Sequence, residues 1–223
     1  MGGLIVAIDG PAGSGKSSVA RTVAERLGLA NLNTGATYRA VALVALRKKM
    51  SLDDGAILAA VGKRMDLTED GVSYDGELIL GDALRTPEVA AAASKVSAHS
   101  QLREVLVERQ RLAANKASCG AVVEGRDIGT VVLPGADLKI FLSASAEERA
   151  RRRATQTGRE AELERIREAM KTRDRRDSER EASPLKPAPD AVVLDTTGLS
   201  FEDVVSRVVG LARERQSAPG KSQ

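Results

Sequence analysis

The sequence predicts an α/β fold: a parallel central sheet flanked by helices, with a small antiparallel sheet inserted and an arginine-rich helical lid. Three observations carry this prediction. Short apolar runs with β-branched centres recur along the chain, helical stretches separate them, and one segment breaks the alternation with closely spaced turn signals.

Leu4–Asp9 (LIVAID) is the first run, bounded by Gly10 and Pro11 and apolar enough for a strand buried on both faces. Lys16–Leu27 follows as a helix, with Val19, Val23 and Leu27 at four-residue spacing and Gly28 as its stop. A short strand is expected through Leu32. Between Met65 and Leu80, turn signals at Glu69-Asp70-Gly71 and Asp75-Gly76 predict the antiparallel insert. Thr86 before Pro87 marks a helix start. Ala121–Glu124, Leu138–Leu142 and Ala191–Asp195 are the remaining parallel strands. Ser145 with Glu148 three residues on reads as a capping box, and Ser200 as the cap of a helix over Phe201–Arg213. The chain is expected to be one domain. Its core lies at about 1–35, 118–147 and 188–214, an insert at about 36–117, a lid at about 148–187 and a frayed tail at 215–223.

Composition narrows the function. The 223 residues are 42% hydrophobic and 29% charged, as in ordinary globular proteins, but only 2% aromatic, with no Trp. So few aromatics, with a net charge of +3, argue against a nucleic-acid partner. Cys119 is the single cysteine, expected as a small buried residue beside a strand, so no intrachain disulfide can form and a reducing compartment is expected. His99 is the single histidine, expected on a helix surface, which excludes a histidine-rich metal site. No signal peptide and no apolar run of membrane length is present, so a cytoplasmic monomer without a membrane partner is expected.

Gly10-Pro11-Ala12-Gly13-Ser14-Gly15-Lys16-Ser17 matches G-x-x-x-x-G-K-[ST] and lies between a strand and a helix, the context in which this loop binds phosphate. Its glycines let successive amides face one concavity, and the following helix adds the positive end of its dipole. Lys16 is placed to bridge the β- and γ-phosphates of ATP, and the Ser17 hydroxyl to ligate Mg²⁺. A loop of this kind defines only a superfamily. Between Arg149 and Arg180 stand twelve basic residues, eleven of them arginine. Interleaved glutamates make Arg151–Arg153 and Arg159–Glu168 a solvated, paired face. Arg173, Arg176, Asp177 and Arg180 would instead share one face of a continuing helix, an excess of forked donors suited to a phosphoryl group. Arg39 and Arg126 follow a turn and a strand end. With Lys16 they make a convergent cationic site for two phosphorylated molecules. A kinase for a small acceptor such as UMP, shikimate or dephospho-coenzyme A, and a non-catalytic nucleotide switch, are the competing readings. A switch has no need of the lid or of the second phosphate site.

Across its folded length the chain resembles the bacterial cytidylate kinase family of P-loop kinases. The likeness is carried by NTGATYRAVAL at Asn33–Leu43, LRTPEVAAAASKVSA at Leu84–Ala98, VVEGRDIGTVVLPGADLKIFL at Val122–Leu142, and RDRRDSERE with a following SPL at Arg173–Leu185. The resemblance implies Mg²⁺-dependent transfer of phosphate from ATP to CMP, and also to dCMP. Gly10 to Ser18, including Ser18 itself, would hold the ATP phosphates. Thr34, Tyr38, Arg39 and Arg126 would line the acceptor phosphate; Ser94, Arg103 and Asp127 would read cytosine; Arg173 and Asp177 would hold the ribose; Arg176 and Arg180 would face phosphates. Lys16, Arg126, Arg176 and Arg180 would be the catalytic cations. Asn33-Thr34 stands where many members have Asp-Ser, and Glu124 occupies a strand end close to the position of a magnesium-associated acid.

Overall fold

The computed structural model describes residues 3–217. Five parallel strands form the central sheet: β1 (Leu4–Asp9), β2 (Ala30–Asn33), β6 (Gly120–Gly125), β7 (Leu138–Ser143) and β8 (Val192–Asp195), in spatial order β2-β6-β1-β7-β8. β1 lies at the centre, with Val6 opposite Val122 on one side and Leu138 on the other. Its side chains alternate between two cores, as the strand period of two requires. Val6 and Ile8 pack with α1 (Lys16–Leu27) and α8 (Phe201–Ser217), through Val19, Val23, Val205 and Val208. Ala7 packs on the opposite face with α2 (Thr34–Arg47) and α5 (Ser100–Lys116).

The insert is a three-stranded antiparallel sheet, β3 (Met65–Thr68), β4 (Gly71–Tyr74) and β5 (Glu77–Ile79). Asp75 and Gly76 both take positive φ, 53° and 83°, as a two-residue hairpin turn demands. Met65, Leu67 and Val72 join Leu32, Val123 and Leu102 in one continuous core, together with α3 (Gly55–Gly62) and α4 (Pro87–Val96). The arginine-rich segment is the helix pair α6 (Ala146–Thr157) and α7 (Leu163–Glu179), with its own small core of Ala150, Ala154, Ile166 and Met170.

The structure amends four local expectations. Only half of the capping box forms: Ser145 Oγ accepts from Glu148 N at 3.2 Å, but the Glu148 carboxylate turns to Arg151 and Arg152, and Ser145 N donates to Thr197 Oγ1. Cys119 is exposed, because it falls in the turn before β6 rather than beside it. His99 sits at the cap position of α5, half-buried, with Nε2 at 2.9 Å from the Leu52 carbonyl. The last helix continues to Ser217, past its expected end and through residues 215–217 of the tail expected to fray; the remainder of that tail lies outside the described residues.

Candidate active site

The loop between β1 and α1 begins at the C-terminal edge of the sheet. A side chain at Gly10 would run into the Leu142 carbonyl, and Gly13 takes φ 73° beneath Met170 and the Arg149 carbonyl, so both positions require glycine. Lys16 is buried and its Nζ donates to the Pro11 carbonyl at 3.0 Å. Burial, and then the charge of Arg126, push its pKa well below the usual lysine value; Arg173 and Arg39 act in the same direction and Glu124 against them. Ser17 Oγ donates to Glu124 Oε2 at 2.7 Å, and Glu124 is itself buried at the end of β6. A hydroxyl and a carboxylate on one spot are hard oxygen donors, the set Mg²⁺ takes when phosphates supply the rest of its shell. These two residues therefore fit the ion.

Asn33 caps α2, its Oδ1 accepting from Ala36 N at 3.1 Å, a role that amide and carboxylate share. Thr34 Oγ1 donates to the Glu124 carbonyl at 2.7 Å, which fixes the start of α2 to β6. Successive helical residues point about 100° apart, and Tyr38 and Arg39 divide accordingly. Arg39 belongs to the group around Lys16 and Glu124, whereas the Tyr38 ring lies 5.4 Å from the Arg103 guanidinium. Burial pushes the Tyr38 hydroxyl up to about 12. Tyr38, expected at the acceptor phosphate, thus stands with the residues expected to read the base.

Those residues do meet. Arg103 and Asp127, both buried, form an ion pair at 2.5 Å, and Arg180 approaches Asp127 at 3.6 Å. Ser94 Oγ accepts from Arg176 at 2.9 Å. The structure thus sets Arg176 and Arg180 beside Ser94 and Asp127, and Arg173 with Arg126 in the Lys16 group, at opposite ends of the cation cluster. For Arg180 the reason is local: α7 stops at Glu179 and Arg180 leaves the helix with extended backbone (ψ 138°), so the helical face expected through residue 180 ends one residue short of it. Asp177 joins the two ends. Buried on α7, it takes Arg126 Nε at 3.0 Å and has Arg173 at 3.9 Å. Arg173 is pushed down to about 10, first by burial and then by Arg126. Arg103 Nε, Arg173 Nε and an Arg180 terminal nitrogen are buried without a hydrogen-bond acceptor among the described residues.

Two features had no signal in the sequence. Arg149 donates to the Ala12 carbonyl and pairs with Asp174, whose other oxygen accepts from Ala12 N at 3.1 Å, so both α6 and α7 are bonded to the phosphate loop. Asp9, at the end of β1, accepts from the amides of Ile128 and Gly129. The more peripheral arginines pair with glutamates at helical spacing, as in Arg151–Glu148, Arg165–Glu162 and Arg167–Glu164.

The family model for cytidylate kinase matches residues 6–214. A cytidylate kinase from Geobacter sulfurreducens is 46% identical over 228 residues, covering 98% of this chain and 97% of that protein. One from Desulfitobacterium hafniense is 45% identical over 220 residues, covering 95% and 94% respectively. A bifunctional pantoate ligase/cytidylate kinase from a Synechococcus species is 47% identical over 222 residues, covering 94% of this chain and 41% of that protein. Among solved structures, an uncharacterized protein from Eubacterium ventriosum superposes with a TM-score of 0.51 at 13% identity, over 94% of this chain and 98% of the other, a likeness of fold alone.

Proposed function

Since this chain belongs to the cytidylate kinase family and is a phosphotransferase, we propose that it transfers the γ-phosphoryl group of ATP to CMP, and to dCMP, giving ADP and the cytidine diphosphate. The observation that carries this reading is a buried cluster of cations running from Lys16 to Arg103, in which three guanidinium nitrogens make no hydrogen bond, two of them 3.6 and 3.9 Å from the nearest carboxylate. Buried donors of this kind are costly unless a ligand supplies oxygens.

The acceptor phosphate is already anionic at neutral pH, so direct in-line transfer needs positioning and charge neutralisation rather than a strong base. Two unit charges about 4 Å apart repel by roughly 4 kcal/mol at an effective dielectric of 20. Lys16, Arg39, Arg126 and Arg173 surround the point where the two phosphates would meet and oppose that repulsion. Lys16 leaves the Pro11 carbonyl to do so, and its depressed pKa reflects first its burial and then the cations gathered there before the anions arrive. Mg²⁺, held by Ser17 with Glu124, would add Lewis-acid stabilisation of the phosphate oxygens when bound. At the other end, the Asp127 carboxylate accepts from the cytosine amine and Arg103 donates to the ring carbonyl. Uracil would set its own carbonyl against Asp127. Gly10 to Ser18 hold the donor phosphates, Asp177 the ribose, and α6–α7 form a lid that keeps water out.

No described helix is long and apolar enough to cross a membrane. The reading includes a cytoplasmic, monomeric enzyme. The test is ADP release from MgATP with CMP, dCMP, UMP, AMP and shikimate in turn. Turnover is expected with CMP and dCMP well above the others, and a preference for any of the remaining three refutes the assignment.

A further inference from the structure

Asp9 is almost wholly buried, at 5% exposure, and touches neither the phosphate loop's concavity nor any cation by a hydrogen bond. Its two carboxylate oxygens each accept one backbone amide, Ile128 N and Gly129 N, both at 2.8 Å. These are the first two residues of a single π-helical turn, Ile128–Val132, and Asp127 immediately precedes them. The carbonyl of Asp127 accepts from Val131 N at 2.8 Å and Val132 N at 3.1 Å. The peptide unit between Asp127 and Ile128 is therefore held from both sides: its oxygen by the turn, its N–H by Asp9 across from the central strand. π-helical turns are rare and cluster at functional sites because they re-aim a side chain. Here the re-aimed side chain is the Asp127 carboxylate.

We propose that Asp9 is a positioning residue for Asp127: by clamping two amides it fixes the base-reading carboxylate, and with it the choice of cytosine over uracil. The inference rests on the cytidylate reading above. An ordinary helix-capping residue fails here for a chemical reason. Asparagine offers one acceptor oxygen, and with each amide on its own oxygen its NH₂ would face one of them, donor against donor, whereas a carboxylate satisfies both as they stand. Two charged side chains act on Asp9, Asp127 and Lys16. Burial is the larger influence and raises its pKa to about 6. The fold thus keeps a carboxylate where burial disfavours its charge, the pattern of a group retained for placement.

The experiment compares wild type and Asp9→Asn in initial-rate kinetics with CMP, UMP and ATP. Expected for the variant are a roughly tenfold rise in KM for CMP, a similar fall in the CMP:UMP ratio of kcat/KM, and a KM for ATP within about twofold of wild type. A purely structural Asp9 would lower all activities together and leave the ratio alone, and that result, or a wild-type ratio, overturns the proposal. Should Asp9→Asn not fold, Asp9→Glu keeps the charge but displaces the carboxylate by one methylene from the two amides, with the same shift in ratio expected. Failure of both variants to fold would assign Asp9 to the fold and equally overturn it. Wild-type protein that ignores CMP would instead refute the cytidylate reading, a different failure.

Discussion

Replacing Asp177 with Asn removes one negative charge from a site that holds Arg126 at 3.0 Å and Arg173 at 3.9 Å, with the Asp177 side chain only 5% exposed. The shape is kept, so the effect is electrostatic. Breaking a buried ion pair by deleting one partner costs about 3–5 kcal/mol, because the other charge is left uncompensated. Partial exposure of Arg126 (16%) and Arg173 (29%) sets the expectation at the lower end, about 3 kcal/mol. For a chain of this size that is a fall in Tm of roughly 6–12 °C, read by scanning calorimetry at neutral pH. The pH dependence follows from the direction of the shift. Burial pushes the Asp177 carboxyl up, but Arg126 and Arg173 outweigh it and hold the group below its ordinary 3.8. Its contribution is then complete above the ordinary value and vanishes as pH falls through the folded one, so wild type and variant must converge in strong acid. Pyrophosphate, which supplies the missing negative charge, should raise the Tm of the variant more than that of wild type. A variant melting within 2 °C of wild type near neutrality, with no extra response to pyrophosphate, would refute the claim that Asp177 is the counter-charge.

Three further outcomes are expected. Arg126→Lys keeps a charge but loses the fork, and kcat should fall by about 10²-fold with a Tm change far smaller than that of Asp177→Asn; steady-state rates and a melting curve check it. Glu124→Gln should raise the Mg²⁺ concentration for half-maximal rate by about tenfold at fixed ATP, since the Ser17–Glu124 oxygen pair loses its charge; an Mg²⁺ titration that overlays wild type excludes Glu124. Asp127→Ala should cut kcat/KM for CMP by at least about 10²-fold while changing that for UMP little, read from paired acceptor kinetics.

How much of this was legible depends on sequence distance. The glycine loop, its flanking strand and helix, the Asp75-Gly76 turn and the Thr86 cap are local, and each follows from residues within a few positions of one another. Lys16, Arg39 and Arg126 were read as one convergent cationic group, whereas Arg173, expected at the ribose, joins them in the structure from α7, a neighbour that no local spacing announces. Arg180 stands off the expected face because α7 stops one residue earlier, and Tyr38 stands apart from Arg39 because adjacent helical positions diverge. Asp9 gave no signal. Its amide partners lie 119 and 120 residues away and are backbone groups, which carry no residue-type signature.

The clasp at Ala12 has a consequence for synthesis. The phosphate loop leaves the ribosome well before the residues that complete it: its Ala12 amide is closed by Asp174, 162 residues later, and its crown is roofed by Met170. Strand β1, from which it springs, likewise waits for β6 and β7 on either side. A nascent chain therefore carries the nucleotide-binding motif long before it carries the nucleotide-binding structure, and the motif takes its working shape only once α7 has been made.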